Sequence, residues 1–387
     1  MHVPLLDLRL QYERFKGTLL PRMHEFLAQQ QFILGPQVEA LEHAIAEYCG
    51  VPFAIGVTSG TDALLLSLMA LGVGPGDKVI TTPYTFFATV GAIARLGATP
   101  VFVDIEPDTY TIDAVQLALL LDAYTPKERI KIKAIIPVHL YGQCADMKPI
   151  LACSRQYNIP VIEDAAQALG AGYVMDDKLR KACSFGEFGC LSFFPSKNLG
   201  CFGDGGMITT PDADMAQKLR CLRVHGQTEG YYHNFIGING RLDALQALIL
   251  QVKLPYLEEW TERRRNNAAQ YTYLFDQEGL TEFITPPRER TGSFHVYNQY
   301  VVRARDRDKL KQYLLERGIG TAVYYPLPLH LQYCFKYLGY KAGDFPHSEC
   351  AARETLALPV FPELTQKQIE YVVDTIRRFY KKNKIFF

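Results

Sequence analysis

The hydrophobic residues between positions 53 and 210 fall into short apolar runs, and these alternate with longer stretches of helical period. Such alternation predicts a mostly parallel β-sheet covered by helices. The seven runs, rich in Val, Ile and Phe, span 53–57, 78–82, 99–105, 133–140, 160–164, 190–194 and 206–210. We therefore expect an α/β fold with a seven-stranded sheet.

The stretches between the runs carry helix signals. Segments 61–72 and 85–97 place apolar residues at spacings of three and four and end in glycine, as many helices do. After Arg241 the pattern changes to one long helical segment, and Pro255 within it is expected to kink or interrupt the helix.

The last third of the chain has a different pattern. It combines a strand-like run at 298–304 with helical segments at 308–318 and from 364 onward, which indicates an α+β unit. The total of 387 residues also exceeds what one hydrophobic core usually supports. We expect a large domain with an N-terminal arm over 1–255 and a smaller α+β domain over 256–387.

Composition narrows the class of protein. The chain is 48% hydrophobic and 21% charged, which is typical of a globular protein. Its formal net charge is +0, so it lacks the excess of basic residues that is typical of a nucleic-acid-binding protein. Its first residues reach acidic and polar side chains too early for a signal peptide, and the sequence has no run of about 18 apolar residues. Its nine cysteines are scattered and show no zinc-like spacing. These features predict a cytoplasmic protein without a metal site, a nucleic-acid partner or a membrane partner.

Two residues suggest chemistry at one edge of the sheet. Asp164 ends the fifth run, where open α/β sheets bind ligands, although alone it is equally explained as a helix N-cap. Lys197 follows the sixth run in a glycine-rich turn and is expected at the same edge. A lysine partly removed from water has a lowered pKa and attacks an aldehyde to form an imine. If that aldehyde belongs to a cofactor with a pyridine ring, a nearby carboxylate would pair with the ring nitrogen.

A phosphate site is the third feature of this edge. The sequence TSGT at 58–61 follows the first run and opens a predicted helix, so the amides of Gly60 and Thr61 would lie at a helix N-terminus. Ser192, close to Lys197 in sequence, adds a hydroxyl. The turn has the spacing of neither a P-loop nor a dinucleotide fingerprint, which argues against a dinucleotide-binding oxidoreductase.

These residues lie in motifs that resemble the DegT/DnrJ/EryC1/StrS sugar aminotransferases, a family of fold-type I pyridoxal-phosphate enzymes. The resemblance covers nearly the whole chain. Its motifs are LLDLRLQY, SGTDALLLSLMALGVGPGDKVITTPYTFFATVGAI, GATPVFVDI, VHLYGQCADM, VIEDAAQALGA, SFFPSKNLGCFGDGG, GINGRLDALQA and YYPLPLHLQ. It implies pyridoxal 5′-phosphate as cofactor and ping-pong transfer of an amino group, expected from L-glutamate, to a nucleotide-linked keto sugar.

The resemblance also implies roles around the cofactor ring. Lys197 would form the imine, and Asp164 would pair with the pyridine nitrogen. Gln167 would lie near the phenolic oxygen. Phe86 would stack on the ring, although a phenylalanine taken by itself is more often a core residue, and only its position in TPYTFFATV favours stacking.

The implied phosphate site involves a second chain. Gly60, Thr61 and Ser192 would hold the phosphate within one subunit. Asn239 would reach the phosphate bound by the neighbouring subunit, so the resemblance implies a homodimer with shared active sites.

The substrate is suggested by fewer residues. Gln167 in the DAAQA motif resembles members that aminate carbon 3 of the sugar rather than carbon 4. The segment around Arg241 looks closest to enzymes acting on UDP-2-acetamido-2-deoxy-3-oxoglucuronate, in which an arginine meets the sugar carboxylate. A guanidinium holds a carboxylate through two parallel hydrogen bonds, whereas an ion pair with Asp243 or another acid is the alternative role for Arg241.

Tyr325 and His330 are further expected substrate contacts. Tyr333 and Cys334 depart from the family, which often continues with Pro and a small residue after the LHLQ segment that contains His330. The expected product is an amino sugar for surface polysaccharide or other amino-sugar biosynthesis.

Three other functions compete. The first is amination of a dTDP-linked 3-keto- or 4-keto-6-deoxyhexose. The second is the dehydratase chemistry of the same family, against which Lys197 argues because those members have histidine at its place. The third is a non-catalytic regulator that binds a nucleotide sugar, since a fold alone does not establish activity.

Overall fold

The computed structural model describes residues 1–383, so the last four residues of the predicted second domain lie outside the described residues. Its helices are α1 (Leu8–Gln29), α2 (Pro36–Cys49), α3 (Gly60–Ala70), α4 (Phe87–Arg95), α5 (Ala114–Ala123), α6 (Pro126–Arg129), α7 (Met147–Tyr157), α8 (Ala213–Leu222), α9 (Ala244–Lys253), α10 (Leu257–Gln277), α11 (Arg307–Leu315), α12 (Pro346–Glu354) and α13 (Gln366–Asn383). Within this range, none of the helices combines the length and apolar character that a membrane span requires.

The strands include all seven that the apolar runs predict. They are β1 (Phe53–Val57), β2 (Lys78–Thr81), β3 (Thr99–Phe102), β4 (Ile132–Ile135), β5 (Ile162–Asp164), β6 (Gly172–Met175), β7 (Lys178–Lys181), β8 (Phe188–Ser192), β9 (Gly206–Thr210), β10 (Gln227–Glu229), β11 (Tyr232–His233), β12 (Ile284–Thr285), β13 (Ser293–Phe294), β14 (Tyr300–Ala304) and β15 (Thr355–Leu358). Four short 3₁₀ turns complete the elements of the described residues.

The seven predicted strands form one sheet. Strands β3, β2 and β4 pair in parallel, and parallel bridges from Ile135 to Val161 and from Val138 to Asp164 join them to β5. Next come β8, β9 and β1, with β9 antiparallel to both neighbours. The sheet order is therefore β3-β2-β4-β5-β8-β9-β1. This arrangement confirms the predicted, mostly parallel sheet.

Helices bury both faces of this sheet. Alternate strand residues contribute to two apolar clusters, one with Ile80 and Leu191 and the other with Val79 and Cys190. The first cluster includes residues of α2, α5, α7 and α9, and the second includes residues of α3, α4 and α8. Because both faces are covered, the open positions are at the ends of the strands.

The predicted interruption at Pro255 is confirmed. Helix α9 ends at Lys253, a 3₁₀ turn spans Leu254–Tyr256, and α10 begins at Leu257. Beyond it, α10, α11 and α13 pack on the antiparallel strands β12, β14 and β15 around a separate core. Val3 also lies in that core and bridges Ile319. We propose that the chain divides at residue 255, with the N-terminal arm packed on the smaller unit.

The order of the sheet places the ends of several strands together. Strands β1, β2, β4, β5 and β8 run in the same direction, so their carboxyl ends meet at one edge. Asp164 and Ser192 end two of these strands, and Gly60 begins the helix that follows another. Residues distant in sequence are thereby brought to one edge, as the sequence predicts.

Candidate active site

A cavity of about 520 Å³ opens at this edge. Its wall includes eight of the residues predicted for the site, namely Gly60, Thr61, Phe86, Asp164, Gln167, Ser192, Lys197 and Tyr325. The remaining lining residues are Ser59, Leu64, Thr85, Ala88, Val138, His139, Leu140, Ala166, Phe194, Ser196, Asp204, Gly205, Gln299 and Tyr324. The wall combines charged, amide and aromatic groups, as ligand sites commonly do.

Lys197 lies in the turn between β8 and β9, and its partly exposed side chain lines the cavity. Its backbone amide donates to the carbonyl of Phe194 at 2.9 Å, which closes the turn. Removal of water from around the amine lowers the pKa of Lys197 to about 8, and the nearby Asp164 carboxylate opposes this change. An amine with this pKa is partly neutral near pH 8, which suits a nucleophile or a general base.

Asp164 is 5% exposed and is held by donors on both oxygens. The hydroxyl of Thr89 donates to Oδ2 at 2.7 Å, and the amide of Ala166 donates to Oδ1 at 3.2 Å. Burial raises the pKa of Asp164, whereas these hydrogen bonds and the charge of Lys197 favour the ionised form. The carboxylate is thus held in one orientation at the floor of the cavity.

Thr89 is a supporting residue that the sequence analysis missed. It lies on α4, one turn after Thr85, and the hydroxyls of the two residues are 2.9 Å apart. Both side chains are buried although both are polar. Their four-residue spacing in TFFAT was the signal available in the sequence, but only the fold brings this helix to Asp164.

A buried pair behind the cavity was also missed. His139 Nε2 lies 2.9 Å from a carboxylate oxygen of Glu163, and the amide of Ala145 donates to His139 Nδ1 at 3.1 Å. Since Nδ1 accepts this hydrogen bond, Nε2 carries the proton and donates to Glu163. The amide of His139 donates to the carbonyl of Asp164 at 2.9 Å. The pair therefore anchors the loop after β4 to the strand that carries Asp164.

The phosphate side of the cavity is the N-terminus of α3. Gly60 and Thr61 are its first two residues, so their amides have no helical acceptors. The side chain of Ser59 caps the helix by accepting from the amide of Asp62 at 3.0 Å. A Cβ at Gly60 would lie 2.8 Å from the Cβ of Ser192, which is closer than side chains pack. Glycine therefore lets the serine approach the helix N-terminus, and the arrangement suits an anion such as a phosphate group.

Gln167 and Phe86 line the cavity in different ways. Gln167 is buried, and its Oε1 accepts from the amide of Tyr141 at 2.7 Å while its Nε2 donates to the hydroxyl of Tyr325 at 3.1 Å. Phe86 is 56% exposed, and its ring centroid lies 6.0 Å from that of Tyr325. Exposure into the cavity makes Phe86 available for ring stacking and sets it apart from a core phenylalanine.

Asn239 and Arg241 do not line this cavity. Asn239 is exposed and bridges Val224 through its backbone, and Arg241 is partly exposed and bridges Val57 in the same way. Within residues 1–383, the Arg241 guanidinium has neither a side-chain hydrogen bond nor an ion pair, so the predicted alternative of a pair with Asp243 is not formed. Both side chains are accessible from outside the chain.

His330 also lies outside the cavity wall. It is 1% exposed, its Nε2 lies 3.2 Å from a carboxylate oxygen of Glu349, and its ring packs edge-on against Phe345. The short 3₁₀ turn Leu329–Leu331 directs it toward α12. Its predicted contact with the substrate therefore has no support from its position.

Gln299 is a cavity residue that the sequence analysis did not select. It comes directly before β14, so it enters the wall from the smaller unit. Its Oε1 is buried and has no hydrogen-bond partner in the described part of the chain. A buried amide oxygen without a partner is costly and is a candidate to accept from a ligand.

The residues of the cavity fit pyridoxal 5′-phosphate. We call the cofactor wall the set of Gly60, Thr61, Phe86, Asp164, Gln167, Ser192 and Lys197. A helix N-terminus and a hydroxyl would hold the phosphate, a buried carboxylate would face the ring nitrogen, and an amine of lowered pKa would meet the aldehyde. The close approach of Gly60 to Ser192 leaves this phosphate position free of any side chain at residue 60.

Several known proteins are similar in sequence to this chain over nearly their whole length. The chain is 50% identical to the "Pleiotropic regulatory protein" of Geobacillus stearothermophilus, covering 98% of this chain and 99% of the relative. It is 42% identical to the "UDP-N-acetyl-3-dehydro-alpha-D-glucosamine 3-aminotranferase" of Acidithiobacillus ferrooxidans, covering 97% of each. It is also 42% identical to the "UDP-2-acetamido-2-deoxy-3-oxo-D-glucuronate aminotransferase" of Pseudomonas aeruginosa, covering 96% and 98%.

Similarity to solved structures agrees with the fold and the cofactor. DesV of S. venezuelae, solved in complex with a ketimine intermediate, superposes with a TM-score of 0.91 at 37% identity and 98% coverage of both chains. A family model for the DegT/DnrJ/EryC1/StrS aminotransferase family matches residues 15–377. The chain therefore belongs to the DegT/DnrJ/EryC1/StrS aminotransferase family and is a sugar aminotransferase that depends on pyridoxal 5′-phosphate.

Proposed function

We propose that this aminotransferase moves the amino group of L-glutamate to carbon 3 of a UDP-2-acetamido-3-oxo-uronate, in the synthesis of surface polysaccharide or other amino sugars. The observation that carries the proposal is the accessible Arg241, which has no acidic partner within residues 1–383. The two relatives at 42% identity are named for a glucosamine and a glucuronate. Overall identity therefore does not decide between a neutral sugar and a uronate, whereas a free guanidinium favours the carboxylate.

Two residues of the cofactor wall, Asp164 and Lys197, would act on the reacting groups in this proposal. When bound, pyridoxal 5′-phosphate supplies an aldehyde that accepts amino groups and a protonated ring that stabilises negative charge. Asp164, held by Thr89, would keep the ring nitrogen protonated. The Nζ of Lys197 would take the proton from the α-carbon of glutamate and later deliver a proton to carbon 3 of the sugar. Its pKa of about 8 suits both directions of transfer.

The proposal includes a homodimer that completes the sugar site. Residues 231–241, which we call the 231–241 segment, carry large apolar side chains in solvent: Tyr231 is 95%, Tyr232 77% and Ile236 92% exposed. Exposed apolar groups in one segment are typical of a surface that another chain covers. Asn239 and Arg241 lie at the end of the segment and would then reach the cavity of the neighbouring subunit.

A substrate panel tests the proposal. The protein is incubated with L-glutamate and, separately, a UDP-linked 3-oxo-uronate, the corresponding neutral 3-oxo sugar, and dTDP-linked 3-keto- and 4-keto-6-deoxyhexoses. Formation of 2-oxoglutarate and of the amino sugar is measured, with Lys197→Ala as the inactive control. We expect the highest kcat/KM with the uronate. A preference for a neutral or dTDP-linked sugar would refute the proposed substrate, and no turnover of any sugar would favour the regulator.

A further inference from the structure

Lys253 is a second buried lysine, and it lies behind the loop that carries Lys197. It is the last residue of α9 and is 2% exposed. Its ammonium donates a hydrogen bond to the carbonyl of Gly200, three residues after Lys197. It forms no salt bridge with any carboxylate of the described chain. The ammonium is thus hydrogen-bonded to a neutral carbonyl, and the charge of Glu363 acts on it only from beyond salt-bridge distance.

Three aromatic rings surround this ammonium. The Nζ of Lys253 lies 5.6 Å from the ring centroid of Phe15, 5.8 Å from that of Phe202 and 5.9 Å from that of Trp260. Cations within about 6 Å of an aromatic face are attracted to it. Burial nevertheless lowers the pKa of Lys253 to about 8. An apolar side chain would fill this space without the desolvation cost, so core packing alone gives no reason for a lysine.

The acceptor of Lys253 belongs to a tightly closed loop. We call residues 193–201 the lysine loop. The amide of Cys201 donates to the carbonyl of Phe193 at 2.8 Å and joins its two ends. At Gly200 an added Cβ would lie 2.4 Å from the carbonyl oxygen of Pro195, so the backbone folds directly onto itself. The position of the Gly200 carbonyl is therefore coupled to that of Lys197 within the same loop.

We propose that Lys253 is a positioning residue: its ammonium holds the Gly200 carbonyl, and the lysine loop in turn aims the Lys197 amine into the cavity. The aromatic rings retain the ammonium behind the loop, on the side away from substrate. This inference rests on the proposed role of Lys197. Misplacement of a reacting group by about 1 Å costs on the order of 100-fold in rate, so the support has a measurable consequence.

The test compares Lys253→Met with a matched control, Lys218→Met. Lys218 also donates to a backbone carbonyl, that of Ala70 at 2.7 Å, and lies 5.5 Å from the ring of Phe235, but it is not in contact with the lysine loop. For Lys253→Met we expect roughly a 10-fold or larger fall in kcat with both KM values nearly unchanged. We also expect a weaker circular-dichroism band of the bound cofactor in the resting protein and slower imine formation when cofactor is added to the cofactor-free protein.

Lys218→Met should leave all of these quantities as in the wild type. Lys253→Arg, which keeps a charged donor, should recover part of the cofactor band and of kcat. If Lys253→Met only lowers the melting temperature, with a normal band and a normal kcat, the positioning role is refuted and the lysine is structural.

Two measurements keep the test decisive. Should Lys253→Met fail to fold, Phe202→Leu removes one ring of the cage at a side chain that is 48% exposed. It should weaken the cofactor band in the same direction, and a wild-type band would overturn the inference.

Borohydride reduction of the wild-type holoenzyme followed by peptide mapping shows whether Lys197 binds the cofactor. A negative result there would refute the proposed role of Lys197 itself, independently of Lys253.

Discussion

The cofactor wall and the 231–241 segment differ in how complete they are within one chain. The wall is formed by residues of the sheet edge, and Asp164 and Gln167 are buried with hydrogen-bond partners on their side chains. In the 231–241 segment, Tyr231 and Ile236 are almost fully exposed, and Arg241 has no side-chain partner among the described residues. In the cofactor wall, buried polar side chains have hydrogen-bond partners within the chain. In the 231–241 segment, exposed side chains are available to bind a ligand or another chain.

This difference separates the two parts of the proposed function. In the proposal, the chemistry of amino transfer depends on the cofactor wall, which lies within one chain. The choice of sugar depends on groups that would act across a subunit interface and on the ligand itself. Changes in the wall should therefore affect every substrate, and changes in the segment should affect particular substrates.

Replacement of Asp164 by Asn should have the largest effect. The amide cannot carry the negative charge that keeps a pyridine nitrogen protonated, so we expect kcat to fall by roughly 100- to 1,000-fold for all sugars. Steady-state kinetics on the uronate and on the neutral sugar measure this. A loss confined to one sugar would contradict the assignment of Asp164 to the cofactor.

The pH dependence of imine formation should show the lowered pKa of Lys197. In the cofactor-free protein, only the neutral amine attacks the aldehyde, so the rate should rise with pH and level off above a midpoint near 8. Against an ordinary lysine of pKa 10.5, the neutral fraction at pH 7 is roughly 300-fold larger. Stopped-flow absorbance after addition of pyridoxal 5′-phosphate gives the profile. A midpoint near 10.5 would show that the amine is not desolvated.

Replacement of Arg241 by Ala should lower activity on one class of sugar only, unlike changes in the cofactor wall. Loss of a charged hydrogen-bonding partner should lower kcat/KM for the 3-oxo-uronate by roughly 10- to 100-fold. Turnover of the neutral 3-oxo sugar should be unchanged. Arg241→Lys, which keeps the charge without the paired donors, should give an intermediate value. Equal losses on both sugars would refute a contact with the carboxylate.

Replacement of Thr89 by Val should have the smallest effect. It removes one neutral donor to the Asp164 carboxylate, so kcat should fall by roughly 2- to 10-fold for every sugar. Thr89→Ser keeps the hydroxyl and should retain the wild-type rate. If the serine variant loses as much as the valine variant, the methyl group of Thr89 matters more than its hydrogen bond.

The seven strands of the large sheet were predictable from the sequence, and their order in the sheet was not. The apolar runs at 160–164 and 190–194 each gave a strand because burial on both faces demands continuous apolar residues. The local sequence pattern of the run at 206–210 does not predict that this strand lies between β8 and β1 and antiparallel to both. Its pairing with β1 depends on residues more than 100 positions away.

The same limit applies to the site. Asp164 and Lys197 were predictable because the carboxyl ends of parallel strands meet at one edge. The hydrogen bond from Thr89 to Asp164 joins a helix to a strand 75 residues later, and the spacing of Thr85 and Thr89 does not reveal that partner. His330 was expected at the substrate, but its short 3₁₀ turn directs the ring toward Glu349, which is a property of tertiary packing.

The antiparallel strand β9 has a consequence for synthesis of the protein. Among residues 1–383, β9 is the only strand that pairs with β1 along its length, and the two are 149 residues apart when Val57 is compared with Gly206. During translation, β1 therefore cannot pair with β9 until residue 210 has left the ribosome. The N-terminus of α3, which follows β1, is not fixed at the sheet edge before that point. Closing so large a loop is slow. We therefore expect shorter nascent chains to lack an assembled phosphate site and the cofactor to bind only late in synthesis.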